Sequence, residues 1–302
     1  THTGELAVRL VLHDPQGETV AEEHATIDLA TDAAVELRVT LPEPQLWSPD
    51  TPHLYRWTLV STDAATGDRH TQSGNLGFRH FRFERHGPFY LNGERLLLRG
   101  THRHEDHAGY AAAMPDDRLR REMEMMKAMG VNFIRLGHYQ QERQVLELCD
   151  ELGFLVWEEI PWCRVGLGGE RYREQARRML RNMIAQHRHH PSVIIWGLGN
   201  ENDWPGDFST FDQQAIRAFM QELHDLAHEL DPSRRTAIRR CDFCRDIVDV
   251  YSPSIWAGWY RGRYTDYREV SREEMLRVDH FLHVEWGASH HARRHSEDPD
   301  RG

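Results

Sequence analysis

Cysteine is scarce, with four residues among 302. That is too few to staple a fold of this size, so Cys149, Cys163, Cys241 and Cys244 read as reduced thiols. Cys241 and Cys244 make one C-x-x-C pair, and the second pair that a zinc ribbon needs is missing. No apolar run approaches the ~20 residues that cross a bilayer, so no membrane partner is expected. The formal net charge of -11 lacks the cationic surplus that a nucleic-acid backbone rewards. Neither G-x-G-x-x-G nor G-x-x-x-x-G-K occurs, which removes the common phosphate cradles. No cofactor is expected. No signal peptide is read. The chain opens Thr1-His2 without Met, so its start is not taken as native and the compartment stays undefined.

What is present has two textures. Residues 1–84 alternate apolar and polar side chains: Leu6, Val8, Leu10 and Leu12, then Val35, Leu37, Val39 and Leu41, then Tyr55, Trp57 and Leu59. Asp14-Pro15-Gln16-Gly17, Pro42-Glu43-Pro44 and Ala65-Thr66-Gly67-Asp68 supply turn chemistry between them. This predicts an antiparallel sandwich of immunoglobulin type, short of a strand at this length.

From residue 85 to 302 the pattern alternates strand and helix, which predicts a parallel sheet. Strands are expected at 95–99, 131–135, 154–157, 193–196, 236–238, 247–251 and 281–284. Helices are expected from Asp116 to Gly130, with Leu119, Met123, Met126 and Met129 on one face, and through Val145, Leu148, Cys149 and Leu152 to Gly153. Others are expected over 171–189 and through Phe211, Phe219, Leu223, Leu226 and Leu230. Seven strands are one short of a (β/α)8 TIM barrel. The expectation is a barrel cut before its eighth strand, either part of a longer protein or closed by a partner or a missing segment.

Chemistry in such a barrel sits at the C-terminal strand ends. Val193-Ile194-Ile195-Trp196 runs straight into Gly197-Leu198-Gly199-Asn200-Glu201, and Phe281-Leu282-His283-Val284 into Glu285-Trp286-Gly287. Two glutamates at two strand ends are what acid-base and nucleophilic work on a glycosidic bond requires. The other ends offer His102, Arg103, His104 and Glu105; Arg135, His138 and Tyr139; Glu158, Glu159 and Trp162; Arg239 and Arg240; and Trp256, Trp259 and Tyr260. The spacing of His102, His104 and His107 admits a metal, but no further cluster completes a zinc site, so a hydrogen-bonding rim is expected and no metal. Arg135 can pair with Glu158 or Glu159, support a nucleophile, or do both. Trp47, Trp57, Trp157 and Trp196 read as core. His187, His189 and His190 read as a polar helix end, and His290, His291, Arg293, Arg294 and His295 as a solvated tail.

Several motifs in this order resemble glycoside hydrolase family 2, the family of β-galactosidases, β-glucuronidases and β-mannosidases. They are Leu46-Trp47-Ser48-Pro49, Gly77-Phe78-Arg79, Leu91-Asn92-Gly93-Glu94, Arg103-His104-Glu105, Arg135-Leu136-Gly137-His138-Tyr139, Ile195 to Glu201, and Val284 to Gly287. The resemblance implies a retaining exo-β-glycosidase on a carbohydrate substrate. Glu285 would be nucleophile and Glu201 acid/base. Asn200 would bond the 2-hydroxyl, and Arg135 would keep Glu285 ionised. His104 and His138 would hold ring hydroxyls, Tyr260 would bond the nucleophile, and Trp259 or Trp286 would floor the sugar. β-Galactosides are the leading expectation, with β-glucuronides or β-mannosides as rivals; for a glucuronide, Arg239 or Arg240 could meet the uronic carboxylate. The family's metal is not carried over, since the third strand ends Glu158-Glu159-Ile160 without the Glu-x-His that binds magnesium in metal-dependent members. A non-catalytic sugar-binding scaffold is the reading from another class, and an isolated fragment that does not fold is a third. A homo-oligomer is compatible with the sequence.

Overall fold

The computed structural model describes residues 4–32, 34–164, 166–205 and 211–287; the histidine- and arginine-rich segment from His290 to His295 lies outside them. The alternating N-terminal segment builds one antiparallel sheet in the order β2-β1-β3-β4, from β1 (Glu5–His13), β2 (Thr19–Asp28), β3 (Tyr55–Asp63) and β4 (Arg69–Leu76). The run from Val35 to Leu41 is not a strand. Its Val39 and Leu41 line a hollow with Leu10, Leu12 and Trp57, so the segment packs on the face of the sheet instead of pairing with its edge. Period two marks half-burial and does not by itself provide a hydrogen-bonding neighbour.

A small hairpin sheet follows, made of β5 (Phe81–Phe83), β6 (Phe89–Leu91) and β7 (Glu94–Arg95). Here the expected strand at 95–99 is displaced. Asn92 (φ 52) and Gly93 (φ 88) both adopt left-handed backbone and turn the chain back, pairing Leu91 with Glu94. Two successive positive φ values are the geometry of a tight hairpin turn, and Asn-Gly is its commonest sequence.

The remaining strands curl into one parallel sheet in sequence order: β8 (Gly100–Arg103), β9 (Phe133–Leu136), β10 (Leu155–Glu159), β11 (Val193–Asn200), β12 (Arg235–Arg239) and β13 (Val250–Ser252). The 281–284 segment runs beside β13 through a single bridge, Tyr251 to Phe281. Helices α1 (Asp116–Ala128), α2 (Arg143–Leu152), α3 (Glu170–His187) and α4 (Gln213–Leu230) cover the outside. A further helix, α5 (Tyr267–Leu276), was not foreseen. It buries no side chain, so the periodic apolar signal is weak. Met129 is 71% exposed because α1 ends before it, and Phe211 precedes the Asp212 cap of α4, whose carboxylate accepts from the Gln214 and Ala215 amides. Every residue of β9, β10 and β11 is buried, as expected of strands covered on both faces. Among the described residues no helix is long and apolar enough to cross a membrane.

The N-terminal sheet is anchored to the barrel wall by the segment around Trp47. Trp47 is fully buried and its indole N–H donates to the Asp150 carbonyl at 2.8 Å, while Arg79 donates to the Pro191 and Val193 carbonyls at 2.9 and 2.8 Å. Trp157 and Trp196 are also core, whereas Trp57 is half-buried. Replacing Trp47 by Ala removes a large filled volume and orphans a buried carbonyl. The expected loss is about 3–5 kcal/mol in urea unfolding. A loss below about 1 kcal/mol would mean that the sheet and the barrel do not unfold together.

Candidate active site

The site is organised by Arg135, whose side chain is completely buried in β9. Its Nε donates to Glu159 Oε2 at 3.1 Å and its Nη2 lies 2.9 Å from both Glu159 oxygens. The same Nη2 reaches Asn200 Oδ1 at 2.8 Å, and Nη1 reaches Glu285 Oε2 at 3.2 Å. Of the pairings open to Arg135, two are therefore realised together, with Glu159 and with Glu285. Glu158 points the other way. Adjacent strand residues face opposite sides of a sheet, and Glu158 meets His187 of α3 at 2.8 Å. His187 and His190, read from sequence as a polar helix end, are thus buried and paired with Glu158 and Asp150.

Glycines make room for this cluster. A Cβ on Gly197 would fall 2.3 Å from Glu159 Cβ and 2.4 Å from Trp157 Nε1, and Trp157 Nε1 itself donates to Glu159 at 2.9 Å. A Cβ on Gly199 would fall 2.2 Å from Asn202 Oδ1. The pairing of β11 with β12 slips by one residue between these two glycines, a bulge of the kind found beside active sites. Beyond it Glu201 sits at φ 53, a left-handed conformation uncommon for glutamate, held by its amide donating to the Arg239 carbonyl at 2.8 Å.

Arg239, at the end of β12, is the group that joins the two glutamates. It is 1% exposed, its Nη1 bonds Glu201 Oε1, and its Nη2 lies 3.2 Å from Glu285 Oε1. One guanidinium thus spans both carboxylates. Arg240 adds a contact to Glu201 Oε1 at 3.2 Å and one to Asp203 at 3.2 Å. Sequence reading placed Arg239 at the rim but not between the glutamates. Its parity in β12 marks it as inward, yet no local pattern reveals what it meets across the barrel.

Electrostatics follow from these partners. Burial pushes the Glu201 carboxyl up, but Arg239 and Arg240 outweigh it and leave it below the ordinary carboxylate range. Glu159 behaves alike, with burial opposed by Arg135 and His138. Burial, then the Arg135 charge, pushes His102 down to about 3. Burial and His138 lower His104 as well, so both rings are neutral at pH 7. His138 Nδ1 is 2.7 Å from Glu159 Oε1, and since a carboxylate only accepts, that nitrogen carries the proton.

His138, Asn200, Glu201 and Glu285 line a cleft of about 620 Å³ with Cys163, Arg164, Trp204, Arg239, Arg240, Trp256, Trp259 and Tyr260. Tyr260 stacks on Trp259 at 4.4 Å and is 67% exposed; among the described residues it makes no bond to Glu285, because the ring lies flat on its neighbour. Trp286 is 63% exposed and lines an adjoining hollow with Thr101, His102 and Glu285. His104 stacks on His102 at 4.6 Å and stands 5.2 Å from His138, beside that cleft and not in its lining. Arg103 turns outward to Glu122, and Trp162 is core. Arg164, Trp204 and Cys163 were not expected in the cleft. They sit in loops, where periodicity is silent.

Among the described residues, two groups have the donor set of a metal site. The ligating atoms of His102, His104 and His138 lie within 4.8 Å of one another, as do those of His224, His228 and Asp249 at the opposite ends of the strands. His107 stands apart, bonded to the Ala108 carbonyl.

The family model for the glycosyl hydrolases family 2 TIM barrel domain matches residues 84–277, and the glycosyl hydrolases family 2 model matches residues 1–79. The chain belongs to glycoside hydrolase family 2. A solved Parabacteroides merdae β-glucuronidase is 61% identical with a TM-score of 0.94, covering 98% of this chain and 37% of that one. A Formosa agariphila protein provisionally named β-glucuronidase is 48% identical over 98% of this chain and 36% of its own length. A Thermoanaerobacterium thermosulfurigenes β-galactosidase is 31% identical over 83% of this chain and 34% of its own. The family 2 chain described here therefore spans about a third of the relatives it matches.

Gly197→Ala tests the packing under the site. The methyl must push Glu159 or Trp157 aside, so unfolding in urea should show a loss of about 1–3 kcal/mol. An unchanged midpoint would mean that β11 relaxes freely at this position.

Proposed function

We propose that this family 2 chain carries the catalytic centre of a retaining exo-β-glycosidase, and that its substrates are β-glucuronides. The observation that carries the reading is the pair Glu201 and Glu285, brought to one cleft at two strand ends and bridged by Arg239. Residues 1–84 are read as an immunoglobulin-type support and 85–302 as the catalytic segment. Glucuronides are preferred over the galactosides expected from sequence because the more similar relatives are glucuronidases by name and the β-galactosidase is more distant.

In this reading Glu285, held beside Arg135 and Arg239, attacks the anomeric carbon. The glycosidic C–O bond breaks, and its electron pair goes to the leaving oxygen, which takes a proton from Glu201. The resulting carboxylate of Glu201 then takes a proton from water, which attacks the glycosyl ester and frees Glu285. The pairing of Glu201 with Arg239 and Arg240 suits the second step. For the first, Glu201 must exchange those guanidiniums for the glycosidic oxygen. Asn200 Nδ2, which otherwise rests on Cys163 Sγ at 3.3 Å, is the donor available to a sugar hydroxyl, because Oδ1 is taken by Arg135.

A panel of 4-nitrophenyl glycosides on the complete protein decides the sugar, and turnover confined to the galactoside would refute the glucuronide assignment. Glu285→Gln should lose at least about a thousandfold in kcat. Glu201→Gln should behave differently on a nitrophenyl substrate, whose leaving group needs no proton: a burst of nitrophenol, then slow turnover. Normal steady-state rates in either variant would sink the mechanism.

Arg240→Gln removes a cation from Glu201, so its carboxyl should rise. The alkaline limb of kcat/KM, which reports loss of the acid, should move up by about one pH unit. Movement to lower pH would contradict the sign of the Arg240 effect.

A further inference from the structure

Arginine and tryptophan alternate along one side of the cleft. Arg164 lies over the Trp204 ring at 5.0 Å, Arg240 over the same ring at 5.1 Å and over Trp256 at 5.1 Å, and Arg261 over Trp256 at 5.4 Å. Stacking engages the face of a guanidinium and leaves its in-plane N–H donors usable. It also holds a long side chain extended, which lowers the entropy lost when those donors bind.

The row begins at Glu201. Arg164 Nε is 3.4 Å from Glu201 Oε2, and Arg240 Nη1 is 3.2 Å from Glu201 Oε1. Arg240 spends its donors on Glu201 and Asp203. Among the described residues, the terminal nitrogens of Arg164 have no hydrogen-bond or ion-pair partner beyond the Nε contact to Glu201. Surface arginines with spare donors are ordinary on a basic protein. Arg164 is marked by its position: it is stacked, lines the cleft and touches Glu201. An oxyanion with two oxygens in one plane is the ligand that such a fork matches.

We propose that the leaving-group side of this cleft is a subsite for an acidic saccharide, whose carboxylate or sulfate meets Arg164. The inference rests on the reading above, in which Glu201 touches the glycosidic oxygen: the sugar being cleaved lies between Glu201 and Glu285, so groups beyond Glu201 face the aglycone. Trp204 acts as a positioning residue that holds Arg164 and Arg240 apart and rigid.

The test uses the complete protein and β-glucuronosyl disaccharides whose second sugar is unsubstituted, carboxylated or sulfated. Wild type should favour at least one acidic disaccharide over the neutral one by about tenfold in kcat/KM, through KM, with the preference shrinking as salt rises. Comparing the carboxylated and sulfated arms identifies the anion. Arg164→Gln should bring the acidic-to-neutral ratio close to one, Arg164→Lys should keep part of it, and Trp204→Ala should reduce it without changing the sign of any charge. Equal kcat/KM for acidic and neutral disaccharides in wild type, or an unchanged ratio in Arg164→Gln, overturns the subsite. If 4-nitrophenyl β-glucuronide is not hydrolysed at all, the functional reading fails separately. Calorimetric binding of the same disaccharides then still decides the subsite, since Arg164→Gln should weaken the acidic ones about tenfold more than the neutral one.

Discussion

A buried guanidinium sets the rest. Arg135 has no exposure, and a charge taken out of water is tolerated only when its partners replace the water it loses. Glu159 supplies the countercharge, Asn200 an amide oxygen and Glu285 a second carboxylate. Losing one partner would leave the cation stranded, at a cost of about 3–5 kcal/mol for a broken buried pair. That penalty fixes the local sequence. Trp157 must offer its indole N–H to Glu159, Gly197 must lack a side chain, and Asn200 must turn its oxygen inward. Stability and placement of Glu285 are the same requirement met by the same atoms.

The second guanidinium does a different job. Arg239 is as buried as Arg135 but divides its donors between Glu201 and Glu285. One cation shared by two carboxylates offsets the repulsion that two like charges held close would otherwise feel. Its Nε is buried and makes no bond among the described residues, so the guanidinium is committed to the two carboxylates through its terminal nitrogens. Glu201 keeps access to other groups, since it lines the open cleft together with Arg240. Glu159 has no such freedom, locked by Arg135, His138 and Trp157.

What could be read from sequence follows from what periodicity encodes. β9, β10 and β11 announced themselves because both faces are covered, and the turn to polar residues after Trp196 and Val284 marked where the strands deliver chemistry. The Asn92-Gly93 turn was present in the letters and was passed over, which shifted the first barrel strand from 95–99 to Gly100–Arg103. His187 and His190 were legible as a polar helix end, but their burial and their carboxylate partners were not, because Glu158 and Asp150 arrive from other elements. Arg239 is the same case: strand parity says that it points inward, and only the folded barrel says that it lands between two glutamates far apart in the chain.

Glu158 and Glu159 show how little of a residue's fate belongs to the residue. They are adjacent and identical, and both are fully buried. Burial raises the Glu158 carboxyl, with His187 opposing, whereas Arg135 and His138 bring Glu159 below the ordinary range. The difference is one position in a strand, hence which face of the sheet each side chain enters. A one-residue slip of β10 would exchange them, aiming Glu158 at Arg135 and turning Glu159 toward α3. The register that prevents this is fixed by apolar neighbours: Val156 beside Ile134, and Leu155 beside Phe133. The cluster around Arg135 therefore inherits its electrostatics from the packing of residues that carry no charge at all.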